Sequence, residues 1–204
     1  MQSIDSSILS RIYGRKRGAV VVPNDFLDLG SRRAVDLALH RMAKQGVIRR
    51  LARGLYDYPR NHPTLGTLLP SPDTIAKALA GRDQIRLQPA GAYAANLLGL
   101  SEQVPAKIVF LTEGPSRTVR IGTMTIQLRH TTPRRAATAG RLSGLVIEAL
   151  RNKGQAHIEP HHIEHLRRTL PPAERKAFIK DLKFAPVWMH PILRNLAEED
   201  ASCD

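Results

Sequence analysis

The chain has 204 residues, enough for one large domain or two small ones, each with its own core. Its 31 Lys/Arg against 18 Asp/Glu leave a net charge of +13, which predicts polyanionic partners, most often nucleic acid. A single cysteine, Cys203, excludes an internal disulfide and a multi-cysteine zinc site; the longest apolar run, residues 90–100, is too short to span a bilayer, and residues 1–10 carry no secretory pattern, so a cytoplasmic protein with no membrane partner is expected.

The charge is concentrated at the front. Residues 1–60 hold twelve Lys/Arg and five Asp/Glu, net +7, while the remaining 144 positions add only +6. Ile4, Ile8, Leu9 and Ile12 recur at helical spacing and predict a first helix that stops near Gly14 and Gly18. Residues 19–22 form a short β-branched run ended by Pro23. Asn24 or Asp25 is placed to cap a short helix containing Phe26, Leu27 and Leu29, closed by Gly30. Ser31 then opens a helix that runs to Gln45. On that helix Val35, Ala38, Leu39 and Met42 share one stripe, with Arg33, Leu37, His40 and Lys44 opposite and Asp36 and Arg41 at the edges. The pair Arg32–Arg33 sits where the helix dipole disfavours cations, a placement better suited to binding than to stability.

The stretch VIRRLARGLYDYP, residues 47–59, reads as a β-hairpin turning near Gly54. Arg49, Arg50 and Arg53 crowd its tip with only Asp57 nearby in sequence. Tyr56 and Tyr58 share one face and are expected to cover the apolar underside. Helix, strand, short helix, helix and hairpin follow one another in the order of a winged helix-turn-helix. In that arrangement Ser31, Arg32, Arg33, Asp36, Leu37, His40 and Lys44 face the major groove. Arg49, Arg50 and Arg53 serve the wing, while Arg15, Lys16 and Arg17 hold flanking phosphates. The bland alternative is a solvated basic face on an ordinary small helical domain.

Residues 61–72 are rich in proline and read as a linker. Beyond it, Asp73 is expected to cap a helix to Leu79, followed by a strand at 85–88, an alanine-rich helix at 91–98 and a buried strand at 107–112. A hairpin at 118–121 and 124–128 carries Arg117, Arg120 and Arg129. Helices at 142–150, 160–170, 171–182 and 186–196 complete the chain. The expectation is an α+β protein: a winged helix-turn-helix domain at 1–60, a linker at 61–72, and a C-terminal α/β domain with a helical tail at 73–204.

The segments PNDFLDLGSRRAVDLALHRMAKQGVIRRLARGLYDYP and GAYAANLLGLSEQVPAKIVFLTEGPSRTVRIG resemble bacterial abortive-infection antitoxins of the AbiEi type across about residues 10–130. KFAPVWMHPIL in the tail is similar to the same family. The resemblance implies an N-terminal winged helix that represses the antitoxin's own operon on double-stranded promoter DNA at inverted repeats. It also implies a C-terminal domain that counteracts a nucleotidyltransferase-like toxin, directly or indirectly. A winged-helix regulator with no toxin partner fits the same residues.

Other constellations carry less chemistry. Asn96, Ser101, Glu102 and Gln103 fall where a helix hands over to a strand, a setting in which polar side chains usually satisfy backbone groups. The basic hairpin with Arg117, Arg120 and Arg129 could contact an acidic toxin or extend a DNA footprint. His157, His161, His162 and His165 include a one-turn pair, His161 and His165, with chelating spacing. The glutamate that a metalloprotease places directly after the first histidine is replaced by His162, and a polar helix face is the default reading. Asp73 with Glu174, Arg175 and Lys176 makes a poor metal-nuclease set, because neither acid is expected on a rigid strand pair. No cofactor and no catalytic residue is expected.

Overall fold

The structure is a computed structural model that describes residues 3–81 and 86–198. It is mixed α/β and divides into two compact units, residues 1–85 with 119–126 and residues 86–118 with 127–204.

In the first unit α1 (Ile4–Tyr13) begins at Ser3, whose Oγ accepts from the Ser6 N–H. Strand β1 (Val20–Val21) follows, then a single 3-10 turn, Pro23–Phe26, in place of the expected short helix. Pro23 fixes the entry to this turn. The half-turned chain lets Asp25 fold back, accepting from the Val22 N–H and from Arg15, while Phe26 enters the core. Helix α2 (Arg32–Lys44) opens at Ser31, whose hydroxyl accepts from the Ala34 N–H.

Strands β2 (Arg49–Ala52) and β3 (Leu55–Asp57) form the expected hairpin, and β3 also pairs with β1, giving the order β1-β3-β2. Ile8, Ile12, Phe26, Val35, Leu39, Met42 and Ile48 interlock as one core. Each large side chain buried there contributes roughly 1.5–3 kcal/mol.

The unit does not end at the hairpin. Instead of a linker, residues 60–68 form a second antiparallel ribbon, β4 (Arg60–His62) and β5 (Gly66–Leu68), joined by a turn at residues 63–65, with Gly66 at φ +69° opening β5. The proline-rich composition misleads because its prolines stand outside the paired positions. Helix α3 (Pro72–Ala80) is capped by Ser71 rather than Asp73, since Pro72 takes the first helical position, and it packs on β1.

A four-stranded sheet has the order β6-β7-β9-β8, with β6 (Leu87–Ala90) and β7 (Lys107–Thr112) in the second unit, followed by β8 (Arg117–Ile121) and β9 (Met124–His130). The tip of the β8–β9 hairpin, residues 119–126, groups with the first unit. Ile85, the start of the expected 85–88 strand, lies outside the described residues. Helix α4 (Ala92–Leu97) precedes β7, and a short α5 (Pro133–Ala136) follows β9. Helix α6 (Leu142–Lys153) packs against α4 and β6. Helices α7 (Pro160–Thr169), α8 (Pro172–Arg175), α9 (Phe178–Asp181) and α10 (His190–Ala197) complete the core around Leu150, Leu166, Phe178, Met189 and Leu193.

The single helix expected at 171–182 is broken. A turn at residues 176–177 separates α8 from α9, and Arg175, Phe178 and Asp181 on either side of it are all buried.

Candidate nucleic-acid interface

Helix α2 presents two opposed faces. Val35, Ala38, Leu39 and Met42 are buried, as their spacing requires. Arg33, Leu37, His40 and Lys44, at intervals of four, three and four, form an exposed stripe along the other side. Among the described residues, the side chains of Arg33, His40 and Lys44 make no hydrogen bond or ion pair, and Leu37 is 49% exposed between them. Arg32 differs from its neighbour: it donates to both Asp36 carboxylate oxygens at 3.1 and 3.0 Å and to Asn24 Oδ1 at 3.0 Å. Its charge is answered within the fold.

The β2–β3 ribbon sorts its arginines in the same way. Arg49 lies opposite Asp57, which is fully buried, and binds it through Nε at 3.1 Å and a terminal nitrogen at 2.6 Å. The same guanidinium donates to the Leu68 carbonyl at 2.7 Å. Arg49 is therefore a structural residue, contrary to the expectation that it serves a partner. Arg50 points away into solvent with one long bond to the Ala52 carbonyl, 3.4 Å. Arg53, at the turn beside Gly54 (φ +69°), is exposed with no partner among the described residues. Tyr56 is buried and Tyr58 packs on the same core, with its ring 5.8 Å from that of Tyr13, as their shared face predicts.

After α1, Arg15 pairs with Asp25 at 3.1 Å and lies over the Phe26 ring, so it too is turned inward. Lys16 and Arg17 are exposed. Two further pairs complete the pattern, Arg11 with Asp28 at 2.8 Å and Arg41 with Asp5 at 2.6 Å. The hydrogen bonds from Arg41 hold the Asp5 carboxyl below the usual carboxylate range.

Each of the five carboxylates in residues 1–60 thus pairs with a different arginine. Seven cations remain without an ion pair among the described residues: Lys16, Arg17, Arg33, Lys44, Arg50, Arg53 and Arg60. Six of these are legible in the sequence. Arg60 is hidden by the linker reading, although the absence of any acid between Asp57 and Asp73 is a usable signal.

The remaining candidates are dispersed. Arg117 and Arg120 lie exposed on β8 and Arg129 on β9, with Arg120 donating to the Gly122 carbonyl at 3.3 Å. Asn96 donates to the Ser101 carbonyl and Ser101 Oγ accepts from the Gln103 N–H, the backbone role expected of them. Asp73 and Glu174 fall in different compact units.

His161, His162 and His165 line a cleft of about 450 Å³ with Glu102, Glu164 and Arg168. His162 Nδ1 accepts from the Glu159 N–H at 3.0 Å, His165 Nε2 bonds the Leu98 carbonyl, and His161 approaches the Glu159 carboxylate at 3.2 Å. One ring nitrogen of each of the three is thus taken by a different partner. Among the described residues no group of three or more His, Cys, Asp or Glu side chains is placed to hold a metal ion. No described helix is long and apolar enough to cross a membrane.

The chain belongs to a family of unknown function, DUF6088, whose profile matches residues 7–178. No curated protein and no solved structure matches it.

Proposed function

We propose that this member of the family is a winged-helix DNA-binding protein that represses its own promoter and acts as the antitoxin of an abortive-infection module. One observation carries the DNA half: every acid of the first sixty residues is already paired, yet seven cations remain, four of them (Arg33, Lys44, Arg50 and Arg53) on α2 and the β2–β3 ribbon. In this reading α2 enters the major groove, with Arg33 and Lys44 reaching base edges or phosphates and Leu37 available to a thymine methyl. The ribbon is the wing, and Arg53 at its tip touches the flanking backbone. The antitoxin half rests on the resemblance of residues 10–130 and of KFAPVWMHPIL to AbiEi-type antitoxins, which implies a nucleotidyltransferase-like toxin as counterpart.

The test is a gel shift of the full chain on its own upstream region, with rescue of growth from an adjacent nucleotidyltransferase-like gene as a second readout. Arg53→Ala is expected to weaken binding to all duplexes alike, and Arg33→Ala to change sequence preference. Wild-type binding that is absent, or indifferent to salt, would refute the DNA half. A promoter shift without rescue would leave a regulator that is no antitoxin.

A further inference from the structure

Three of the seven unpaired cations lie apart from α2 and the β2–β3 ribbon. Lys16, Arg17 and Arg60 meet where the chain leaves α1 and where β3 passes into β4. The loop after α1 is fastened there: the Gly18 N–H donates to the Tyr58 carbonyl at 2.7 Å, and the Tyr58 N–H returns a bond to the Ala19 carbonyl at 2.9 Å. Arg17 donates to the Pro59 carbonyl at 3.1 Å with its guanidinium 4.7 Å from the Tyr58 ring centre. One end of that guanidinium is thereby oriented, leaving its other N–H groups for a ligand.

Gly18 has φ +91°, and a Cβ built on it would lie 4.0 Å from the Arg60 Cβ, which shows how closely the loop and β4 approach. The three cations line one cleft of about 400 Å³ together with Leu69, Ser71 and Thr74. Among the described residues no carboxylate and no aromatic ring lines it. Three unopposed cations suit a phosphate, and the lack of a stacking ring argues against a nucleoside.

The β4–β5 ribbon springs from the rim of this cleft. Arg60, Asn61 and His62 are exposed, as are Gly66 and Thr67, and Leu65 at the tip is 72% exposed. A two-stranded ribbon exposed at every paired position but Leu68 gains little from packing of its own. Its composition, basic at the root and free of acids, complements a polyanion.

The geometry points to a phosphate seat for the DNA backbone in the Lys16–Arg17–Arg60 cleft, with β4–β5 as a second ribbon lying along the strand. This inference rests on the DNA-binding reading above and extends it to Arg60 and residues 61–68. The seat adds affinity without sequence preference, because phosphates carry no base information.

The test is fluorescence anisotropy of the full chain on its upstream duplex and on an unrelated duplex, across a potassium chloride series. The Lys16→Ala/Arg60→Ala variant is expected to lower the slope of log affinity against log salt by about 1–2, roughly one for each phosphate no longer neutralised. It is expected to weaken both duplexes by the same factor. Arg60→Glu, at an exposed position, is expected to go further in the same direction with an unchanged melting curve.

An unchanged slope and affinity in these variants, while Arg53→Ala still weakens binding, would overturn the seat and leave the α2 reading standing. Failure of the wild type to bind either duplex would overturn both. Saturable binding of inorganic phosphate at micromolar levels, abolished in the double variant and indifferent to bound duplex, would reassign the cleft to a small phosphate ligand.

Discussion

Replacing Arg49 with alanine separates a structural arginine from a DNA-facing one. Asp57 has no solvent exposure and accepts two hydrogen bonds from Arg49, whose side chain is 30% exposed. Removing the guanidinium leaves a buried carboxylate unpaired, a change that costs about 3–5 kcal/mol for a fully enclosed pair. Water already reaches one side of Arg49, which puts the expected loss at the lower end, about 3 kcal/mol. At about 2–4 °C per kcal/mol for a chain of this size, the melting point should fall by about 6–12 °C.

Asp57→Asn keeps the shape but loses the charge and is expected to cost less, about 1.5–3 kcal/mol. Arg49→Met with Asp57→Val, which removes both charges together, should recover most of the stability, because an apolar pair of similar volume replaces a desolvated ionic one. Thermal melting and urea titration measure these effects, and anisotropy on DNA supplies the control. Arg49→Ala that melts like the wild type while lowering the salt slope by about 1 would show that Arg49 meets phosphate instead, and the pairing argument would fail.

The pH dependence of stability should carry a signature of His162. Burial first, then the positive charges of Lys153 and His161, push its pKa below the ordinary histidine value. The unfolded chain therefore takes up a proton near pH 6.5 while the folded chain still holds the neutral ring. The stability contributed by this group is complete above that pH and is lost as pH falls through the lower, folded-state value. His162→Gln should flatten the urea-midpoint profile between about pH 7 and 5 relative to the wild type, and parallel profiles would contradict this reading. Gly144→Ala tests the close approach of α6 to its neighbours. Alanine ordinarily gains about 1 kcal/mol over glycine inside a helix. Here its Cβ would collide with the Thr138 carbonyl and come within 2.6 Å of Gln88 Oε1, so a net loss of about 1–3 kcal/mol is expected in the same denaturation assay.

Periodicity and capping chemistry expose α2 completely, including its Ser31 start, its buried stripe and its exposed one, because these depend on residues within a few positions of each other. The β2–β3 hairpin is legible for the same reason. The β4–β5 ribbon is not: its strands are three residues long, hold Leu68 as their one large apolar side chain and are flanked by prolines, so no alternation marks them. The break at 171–182 is equally hidden, since Asp181 near its end is bonded by Arg141 and Ser143, which lie about forty positions earlier in the chain.

Counting residues is enough to establish that the first sixty positions carry seven more cations than acids, a surplus no internal pairing can remove. Counting cannot say which seven are left over; that follows from how the chain packs. Asp5 and Arg41 are 36 positions apart and Asp28 and Arg11 are 17, while Arg49 and Asp57 meet only across a hairpin. Charge balance is a property of composition. The direction in which each guanidinium points is set by the packed backbone that carries it, and that direction makes Arg49 structural while leaving Arg53 and Arg60 facing water.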